Sequence, residues 1–94
     1  MNVTTTSAGT KIWNDHDGNI HRLDGPAVIW VDGYKEWWVN GRHHRLDGPA
    51  IEWHDGRMSW YVNGIYYTDF KDFQEAGNLS DEDMMVLRLK YGEP

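Results

Sequence analysis

The chain has no cysteine, and its nine lysine and arginine residues are outnumbered by fifteen aspartates and glutamates. Without cysteine it forms no disulfide framework and has no thiolate chemistry, so we expect a reducing, cytoplasmic environment. The formal net charge of −6 argues against general nucleic-acid binding, which depends on neutralising phosphates. The sequence also lacks an apolar run of membrane-spanning length and the basic-then-apolar pattern of a signal peptide, so we expect no membrane partner.

Phenylalanine is scarce as well, and tryptophan and tyrosine take its place. Two Phe accompany six Trp and five Tyr in a chain of 94 residues, 39% of which are hydrophobic. That length suits one domain with one modest core. Because Trp and Tyr bury a large area and keep a polar group, they suit both a thin sheet and a ligand surface.

One seven-residue string, HRLDGPA, occurs twice, at His21–Ala27 and at His44–Ala50. Aligned at this offset of 23 residues, Gly18–Asn40 and Gly41–Asn63 agree at 14 of 23 positions. Self-similarity at a fixed period is typical of a supersecondary unit that repeats by stacking. The repeat therefore predicts an architecture more directly than it predicts a function.

Short runs of residues in the middle of the chain are separated by Asx-Gly dipeptides. These are Asp17-Gly18, Asp32-Gly33, Asn40-Gly41, Asp55-Gly56 and Asn63-Gly64. Such dipeptides are the strongest local signal for two-residue type I′ hairpins. We therefore predict antiparallel strands at Ala27–Val31, Tyr34–Val39, Arg42–Arg45, Ala50–His54, Arg57–Val62 and Ile65–Thr68.

Two-residue turns would also determine which side chains share a face of the sheet, because they determine the register. If Val31 pairs with Tyr34, then Val28 lies opposite Trp37 and Trp30 lies opposite Lys35. The predicted core face then holds Val28, Trp30, Trp37, Val39, Ile51, Trp53, Met58, Trp60 and Val62. The predicted outer face holds Tyr34, Glu36, Trp38, His43, Arg45, Arg57, Tyr61 and Tyr66.

Helix signals begin after Thr68. Residues 69–76 predict a short helix that Gly77 closes, and Ser80 then supplies an N-cap before an acidic first turn. Met84, Leu87 and Tyr91 would share one side of this second helix. We expect the two helices to cover the apolar face of the hairpins, because an open stack must cap that face.

The predicted fold is mainly β: an antiparallel sheet of stacked β-hairpin repeats with a short C-terminal helical cap, α+β overall. We divide this single domain into three parts. Residues 1–10 form a flexible tail or an edge strand, residues 11–68 form the hairpin repeats, and residues 69–94 form the helical cap.

The frame NG-x-x-HR-x-DGPA-x-x-W-x-DG-x-x-x-W-x-VNG resembles MORN-like repeats, in particular the variant seen in YwqK-type proteins and in small phage proteins. The resemblance covers Lys11–Thr68. It implies the same stack of hairpins, a non-enzymatic protein that holds a partner, and a phage origin. For YwqK-type proteins it also implies an antitoxin role.

His21 and His44 occupy equivalent positions, as do Asp24 and Asp47, which raises the question of a metal or acid–base site. No third ligand follows at zinc-like spacing, and no second carboxylate with a shifted environment is identifiable. We therefore interpret the histidines as partners of a turn and the aspartates as caps of the Asp-Gly-Pro turn or partners of a nearby arginine. We predict no catalytic residue, no metal and no cofactor.

The outer face carries the candidate binding residues, which combine aromatic rings with cationic groups. Aromatic planes beside guanidinium groups suit stacking together with phosphate or carboxylate recognition. The alternative is an ordinary outer face of cross-strand pairs, such as Glu36 with Arg45 or Tyr61 with Tyr66. The candidates are Trp38, Tyr61, Tyr66, Arg45, Arg57, His43 and Tyr34.

These observations favour a small non-catalytic binding protein, phage-encoded if the resemblance holds, that inhibits or sequesters a host component. The ligand is either a host protein or a small nucleotide-like defence signal. A structural repeat module in an assembly and a YwqK-like antitoxin are the alternatives. Because a short hairpin stack leaves two strand edges with little mass to cover them, we also expect a homodimer.

Overall fold

The computed structural model describes residues 2–94 and contains nine strands followed by two helices. The strands are β1 (Asn2–Thr5), β2 (Lys11–Asn14), β3 (Val28–Ile29), β4 (Lys35–Glu36), β5 (Trp38–Val39), β6 (Arg42–His43), β7 (Ile51–Glu52), β8 (Met58–Val62) and β9 (Ile65–Tyr67). The helices are α1 (Phe70–Gly77) and α2 (Asp81–Tyr91). Met1, which belongs to the predicted tail, lies outside the described residues.

The strands form one antiparallel sheet and one small two-stranded sheet. The seven-stranded sheet has the order β1-β2-β3-β4-β7-β8-β9, and β5 pairs with β6 apart from it. The fold is thus mainly β with two C-terminal helices, as the sequence predicted. The described part of the tail forms an edge strand, because Asn2–Thr5 pairs with Lys11–Asn14. None of the helices among residues 2–94 is long and apolar enough to cross a membrane.

The turns divide into two kinds, of which only one was predicted correctly. At Asn40-Gly41 and at Asn63-Gly64 both residues have positive φ, as a type I′ turn requires. At Asp32-Gly33 only the glycine has positive φ, at 93°. There the Trp30 amide donates to the Tyr34 carbonyl and the Gly33 amide donates to the Trp30 carbonyl. This is a three-residue loop with a glycine bulge.

The same three-residue loop occurs at the other Asp-Gly turns of the hairpins. Trp53 and Arg57 close the loop that contains Gly56, and Asp15 and Asn19 close the loop that contains Gly18. The aspartate favours this loop because its carboxylate accepts from the backbone two residues on, as Asp55 does from the Arg57 amide at 3.1 Å. The prediction of two-residue turns at the Asp-Gly sites was therefore wrong.

The extra loop residue moves the register of the Asp-Gly hairpins by one position. Val28 lies opposite Glu36, not opposite Trp37, and Lys35 lies opposite Ile29, not opposite Trp30. Glu36 is consequently buried with 9% exposure, although the outer face was predicted for it. Trp30 is 44% exposed, although the core face was predicted for it. Met58, another predicted core residue, is also exposed.

The core lies where the helices pack on the last strands. Trp60 is 1% exposed and contacts three rings edge to face, those of Phe70, Phe73 and Tyr91, with ring centroids 4.8, 5.2 and 5.6 Å away. Val62, Met84 and Leu87 complete the buried cluster. The helices therefore cover the apolar side of the last hairpin, and Met84, Leu87 and Tyr91 face it as predicted. Within the described residues they do not cover the face of the earlier hairpins, although the prediction had them do so.

Local capping explains where the helices begin and end. Asp69 caps α1 by accepting from the Lys71 amide at 2.6 Å. Ser80 and Asp83 form a reciprocal capping box at the start of α2, which confirms Ser80 as the N-cap. The end of α1 was misassigned by one residue, since Asn78, with φ 52°, adopts the left-handed cap conformation that the prediction gave to Gly77.

Each HRLDGPA string folds into the same clamp. Arg22 Nε donates to the Asp24 carboxylate at 2.9 Å, Arg22 Nη1 donates to the Pro26 carbonyl at 3.1 Å, and the guanidinium lies 4.1 Å from the centroid of the Trp13 ring. In the second copy, Arg45 makes the corresponding bonds at 3.0 and 3.1 Å and lies 3.8 Å from the Trp37 ring.

The histidine of each string bonds the Asn-Gly turn that follows it. His21 Nδ1 accepts from the Asn40 amide and His44 Nδ1 from the Asn63 amide, both at 3.0 Å. The aspartates pair with the arginines of their own strings, as one of the sequence interpretations proposed. The repeated string is thus explained by structural contacts in both copies.

Candidate binding surface

Four aromatic side chains stack in a continuous line across β5, β6, β8 and β9. Ring centroids are 3.9 Å apart from Trp38 to His43, 5.0 Å from His43 to Tyr61 and 5.4 Å from Tyr61 to Tyr66. We call these residues the aromatic row. The two Asn-Gly turns create it, since they place Trp38 opposite His43 and Tyr61 opposite Tyr66. Both pairs agree with the register predicted for these turns.

The backbone brings the two halves of the aromatic row together. The Gly64 amide donates to the His43 carbonyl at 2.8 Å, and the Arg45 amide donates to the Tyr61 carbonyl at 3.3 Å. The hairpin that carries Trp38 and His43 therefore runs beside the hairpin that carries Tyr61 and Tyr66. The row depends on backbone contacts as well as on ring stacking.

A buried carboxylate holds one end of the aromatic row in place. Glu36 accepts from Trp38 Nε1 at 3.2 Å and from Trp30 Nε1 at 2.9 Å, and its Oε1 lies 2.8 Å from His43 Nε2. Burial alone would raise the pKa of Glu36, but the bonds from His43, Trp30 and Trp38 outweigh it and lower that pKa below its ordinary value. The carboxylate is therefore ionised at neutral pH and fixes three rings at once.

A second line of rings lies on the other side of Glu36. Trp30 and Tyr34 have centroids 6.1 Å apart, and Tyr34 and Trp53 have centroids 5.5 Å apart, both edge to face. The Arg57 guanidinium lies 5.3 Å from the Trp53 ring. Burial, followed by the proximity of Glu36 and Tyr61, raises the pKa of the Tyr34 hydroxyl, so this phenol stays neutral.

Arg45 does not join the aromatic row, although it was a candidate binding residue with it. Its guanidinium lies on the Trp37 ring, on the side of the chain that carries α2, and Nη2 reaches the Tyr91 hydroxyl at 3.4 Å. Nη1 also binds the Glu52 carboxylate at 2.7 Å. β6 ends at His43, and the contacts with Trp37 and Glu52 then turn Arg45 to this side. The predicted pairing of Arg45 with Glu36 is absent for the same reason.

The structure thus brings together five of the seven candidates. Trp38, His43, Tyr61 and Tyr66 form the aromatic row, and Tyr34 lies next to it across Glu36. Arg57 stands at the far end of the second line and binds the Asp55 carboxylate at 2.9 Å. Trp30, Glu36 and Trp53 belong to the same surface and were missed as members of the candidate site. Recognition of the three-residue Asp-Gly loop would have placed Glu36 on the inside.

The chemistry of this surface is that of contact and stacking. Among residues 2–94, no group of three or more His, Asp or Glu side chains is arranged to hold a metal ion. The surface instead offers ring faces, three tyrosine hydroxyls and few charges that are not already paired. Tyr66 is its most accessible ring, at 54% exposure.

Comparison with known proteins does not assign this chain to a family. No protein-family model matches the sequence, and no curated protein and no solved structure gives a significant match.

Proposed function

We propose that the protein is a small non-catalytic binding protein that holds a partner protein on the aromatic row and the adjoining rings of Trp30 and Tyr34. One observation carries the proposal. Glu36 holds Trp30 directly and holds one end of the aromatic row through Trp38 and His43. Tyr66 lies against Tyr61 at the other end. Trp30 and Tyr66 nevertheless remain about half exposed. Rings buried for stability alone would not need to stay accessible.

Fixed aromatic rings are energetically well suited to binding. Trp and Tyr supply most of the large contributions at protein interfaces. A ring that is already ordered loses little conformational entropy when the partner arrives, so more of the contact energy appears as affinity. The stacking within the aromatic row and the bonds to Glu36 provide that order before binding.

The charges of the surface favour a protein partner over a nucleotide-like one. A nucleotide needs a cation for its phosphates beside the stacking ring. Arg45 is turned to the opposite side and pairs with Glu52, while Arg57 pairs with Asp55. The rings remain suitable for stacking on a base, but Arg45 lies on the opposite side, and Arg57, which lies beside Trp53, is already paired with Asp55.

The finer architecture and biology belong to the same proposal. The identical clamps at Arg22 and Arg45 support a stack of MORN-like hairpin repeats as the framework of the sheet. With the phage origin that the resemblance implies, the partner is a host protein that becomes inhibited or sequestered. A structural module in an assembly and an antitoxin role would use the same rings against a different protein.

Affinity capture with single-residue variants tests the proposal. The bait is the wild-type chain, Tyr66→Ala or Tyr61→Ala, and the captured protein is purified and its affinity measured by titration calorimetry. Ile65→Ala is the matched control, because Ile65 is adjacent on β9, exposed, and on the other face of the strand. We expect the tyrosine variants to weaken binding by about tenfold or more, corresponding to at least about 1.4 kcal/mol, and the control to bind as the wild type does.

Two results would contradict the proposal. If both tyrosine variants bind as tightly as the wild type, the aromatic row is only the outer face of a sheet. If tryptophan fluorescence responds to nucleotides at low concentration and this response is lost in Tyr66→Ala, the ligand is a small molecule instead of a protein.

A further inference from the structure

A second surface, away from the aromatic row, consists of a groove and a helix face. The groove lies between the two HRLDGPA clamps and has a volume of about 520 Å³. Its apolar lining comes from Leu23, Trp37, Val39 and Leu46, and His44 lies among them. We call it the open groove.

The open groove corresponds in sequence to a site that the chain fills with its own helices. Leu46, Trp60 and Val62 lie 23 residues after Leu23, Trp37 and Val39 and are their equivalents in the second repeat. This second set packs against α1 and α2 and belongs to the core. The first set has no such cover within residues 2–94, and Leu23 is 75% exposed. A helix is therefore the kind of element that a site of this composition accommodates.

The chain also exposes an apolar helix face that has no partner within the described residues. On α2, Met84 and Leu87 face the core, while Met85, Val86 and Leu89 are exposed, Leu89 at 82%. Because Met85 and Leu89 are four residues apart, they lie one above the other on the helix. We call these three residues the outer ridge. Contiguous apolar surface of this kind marks an interaction site in soluble proteins.

The open groove lies close to one residue of the outer ridge, Val86. Leu46 and Asp47 line the open groove, and they also line a smaller apolar cleft of about 240 Å³ beside Val86, Leu87 and Lys90. The apolar surface therefore runs from Leu23 through Leu46 to Val86 on α2.

We propose that a second copy of this chain covers this surface, with the outer ridge of each copy seated in the open groove of the other. Such an arrangement is isologous, because the same patch is used twice around a two-fold axis. The charges at the edges agree with it. Asp24 and Asp47 border the groove and stay 83% and 88% exposed, although each accepts from the arginine of its own clamp. Lys90, in the last turn of α2, is of opposite sign. This dimer leaves the strand edges and the aromatic row free.

Disulfide trapping tests which residues meet, and the natural chain is convenient because it contains no cysteine. In the double variant Leu23→Cys/Leu89→Cys, oxidation should give a covalent dimer with a 23–89 linkage in the peptide map. Each single variant should stay largely monomeric under denaturing conditions. If Leu89→Cys alone crosslinks as efficiently as the double variant, α2 packs on α2 and the assignment of the groove is overturned.

Sedimentation of variants that carry an introduced glutamate tests how much each residue contributes to dimerisation. Leu23→Glu and Leu89→Glu should each weaken dimerisation at least about tenfold while keeping the wild-type circular dichroism, because both side chains are exposed in the single chain. Ile65→Glu, exposed on the edge strand β9, is the control and should remain a dimer. A wild-type chain that stays monomeric at high concentration overturns the proposal. So does a result in which Ile65→Glu is the variant that dissociates.

Discussion

The two HRLDGPA clamps have the same internal contacts but different surroundings. In both, the arginine lies on a tryptophan ring and bonds the loop of its own string, and the histidine accepts from the next Asn-Gly turn. The clamp at Arg45 has two partners more, Glu52 and Tyr91. The leucines differ most, since Leu23 is exposed and Leu46 packs against the core cluster.

This comparison separates what the string itself determines from what its neighbours add. Seven identical residues produce the same local clamp twice, because the hydrogen bonds of each arginine to its own string lie within five residues. The burial of Leu46 and Trp60, in contrast, depends on α1 and α2, which cover only the last hairpin. Two copies of the same string therefore differ in how much they contribute to the free energy of unfolding.

The largest difference is expected between Trp37 and Trp60, which occupy equivalent positions in the two repeats. Trp60→Ala should lower the free energy of unfolding by roughly 3–5 kcal/mol, because three rings lose their contacts with a fully buried side chain. Trp37→Ala should cost about 1–2 kcal/mol, because a half-buried ring under a guanidinium leaves a space open to water. Urea denaturation of both variants in the Leu89→Glu background, which weakens the proposed dimer over Trp37, measures the difference. Equal losses would show that the helical cover adds nothing.

The next largest difference in stability is expected between the arginines of the two clamps. Arg45→Ala should cost about 2 kcal/mol, between the values for exposed and for buried ion pairs, because it leaves the Glu52 carboxylate and the Tyr91 hydroxyl without their partner. Arg22→Ala is the matched variant in the first clamp and should cost less, since its carboxylate partner Asp24 is exposed. Thermal unfolding of both proteins at the same pH provides the test. A greater loss for Arg22→Ala would contradict the comparison.

Much of this fold was predictable because its signals are local. Asn-Gly turns encode their own conformation, so the pairs Trp38 with His43 and Tyr61 with Tyr66 followed from four residues of turn sequence. The capping box at Ser80 is equally local. The spacing of Met84, Leu87 and Tyr91 indicated the buried side of α2 without any knowledge of the sheet.

The errors arose where two local conformations compete or where a distant contact decides. Asp-Gly suits both a two-residue and a three-residue loop, and the longer loop moved Glu36 inward and Trp30 outward. Arg45 looked like a strand residue of the outer face, yet stacking on Trp37 and pairing with Glu52 turn it to the other side. The alternation of side chains along a strand does not predict either contact, because the clamp interrupts the strand.

A smaller effect is expected for the leucines. In the Leu89→Glu background, which removes the proposed dimer, Leu46→Ala should cost roughly 1–2 kcal/mol, less than a fully buried leucine. Leu23→Ala should change the unfolding free energy by no more than about 0.5 kcal/mol, as is usual for exposed positions. Chemical denaturation at one protein concentration is sufficient. A loss for Leu23→Ala as large as that for Leu46→Ala would mean that Leu23 is covered within the single chain.

The smallest effect is a change in pH dependence, and it concerns the histidine of the second clamp. Burial lowers the pKa of His44 below its ordinary value of 6.5. Protonation at Nδ1 would also remove the acceptor of the Asn63 amide. The folded chain therefore binds this proton less readily than the unfolded chain does. The stability from neutral His44 is complete above pH 6.5 and is lost as the pH falls from there through the folded pKa.

His44→Asn tests this, because the Asn Oδ1 can accept from the same amide but does not titrate. Unfolding free energies measured from pH 7.5 down to about pH 5 should fall less steeply in His44→Asn than in the wild type. His21→Asn makes the same exchange in the first clamp and controls for the change of acceptor. Only the differences between the slopes of the three proteins are interpreted. Superimposable slopes for the wild type and His44→Asn would show that burial does not lower the pKa of His44.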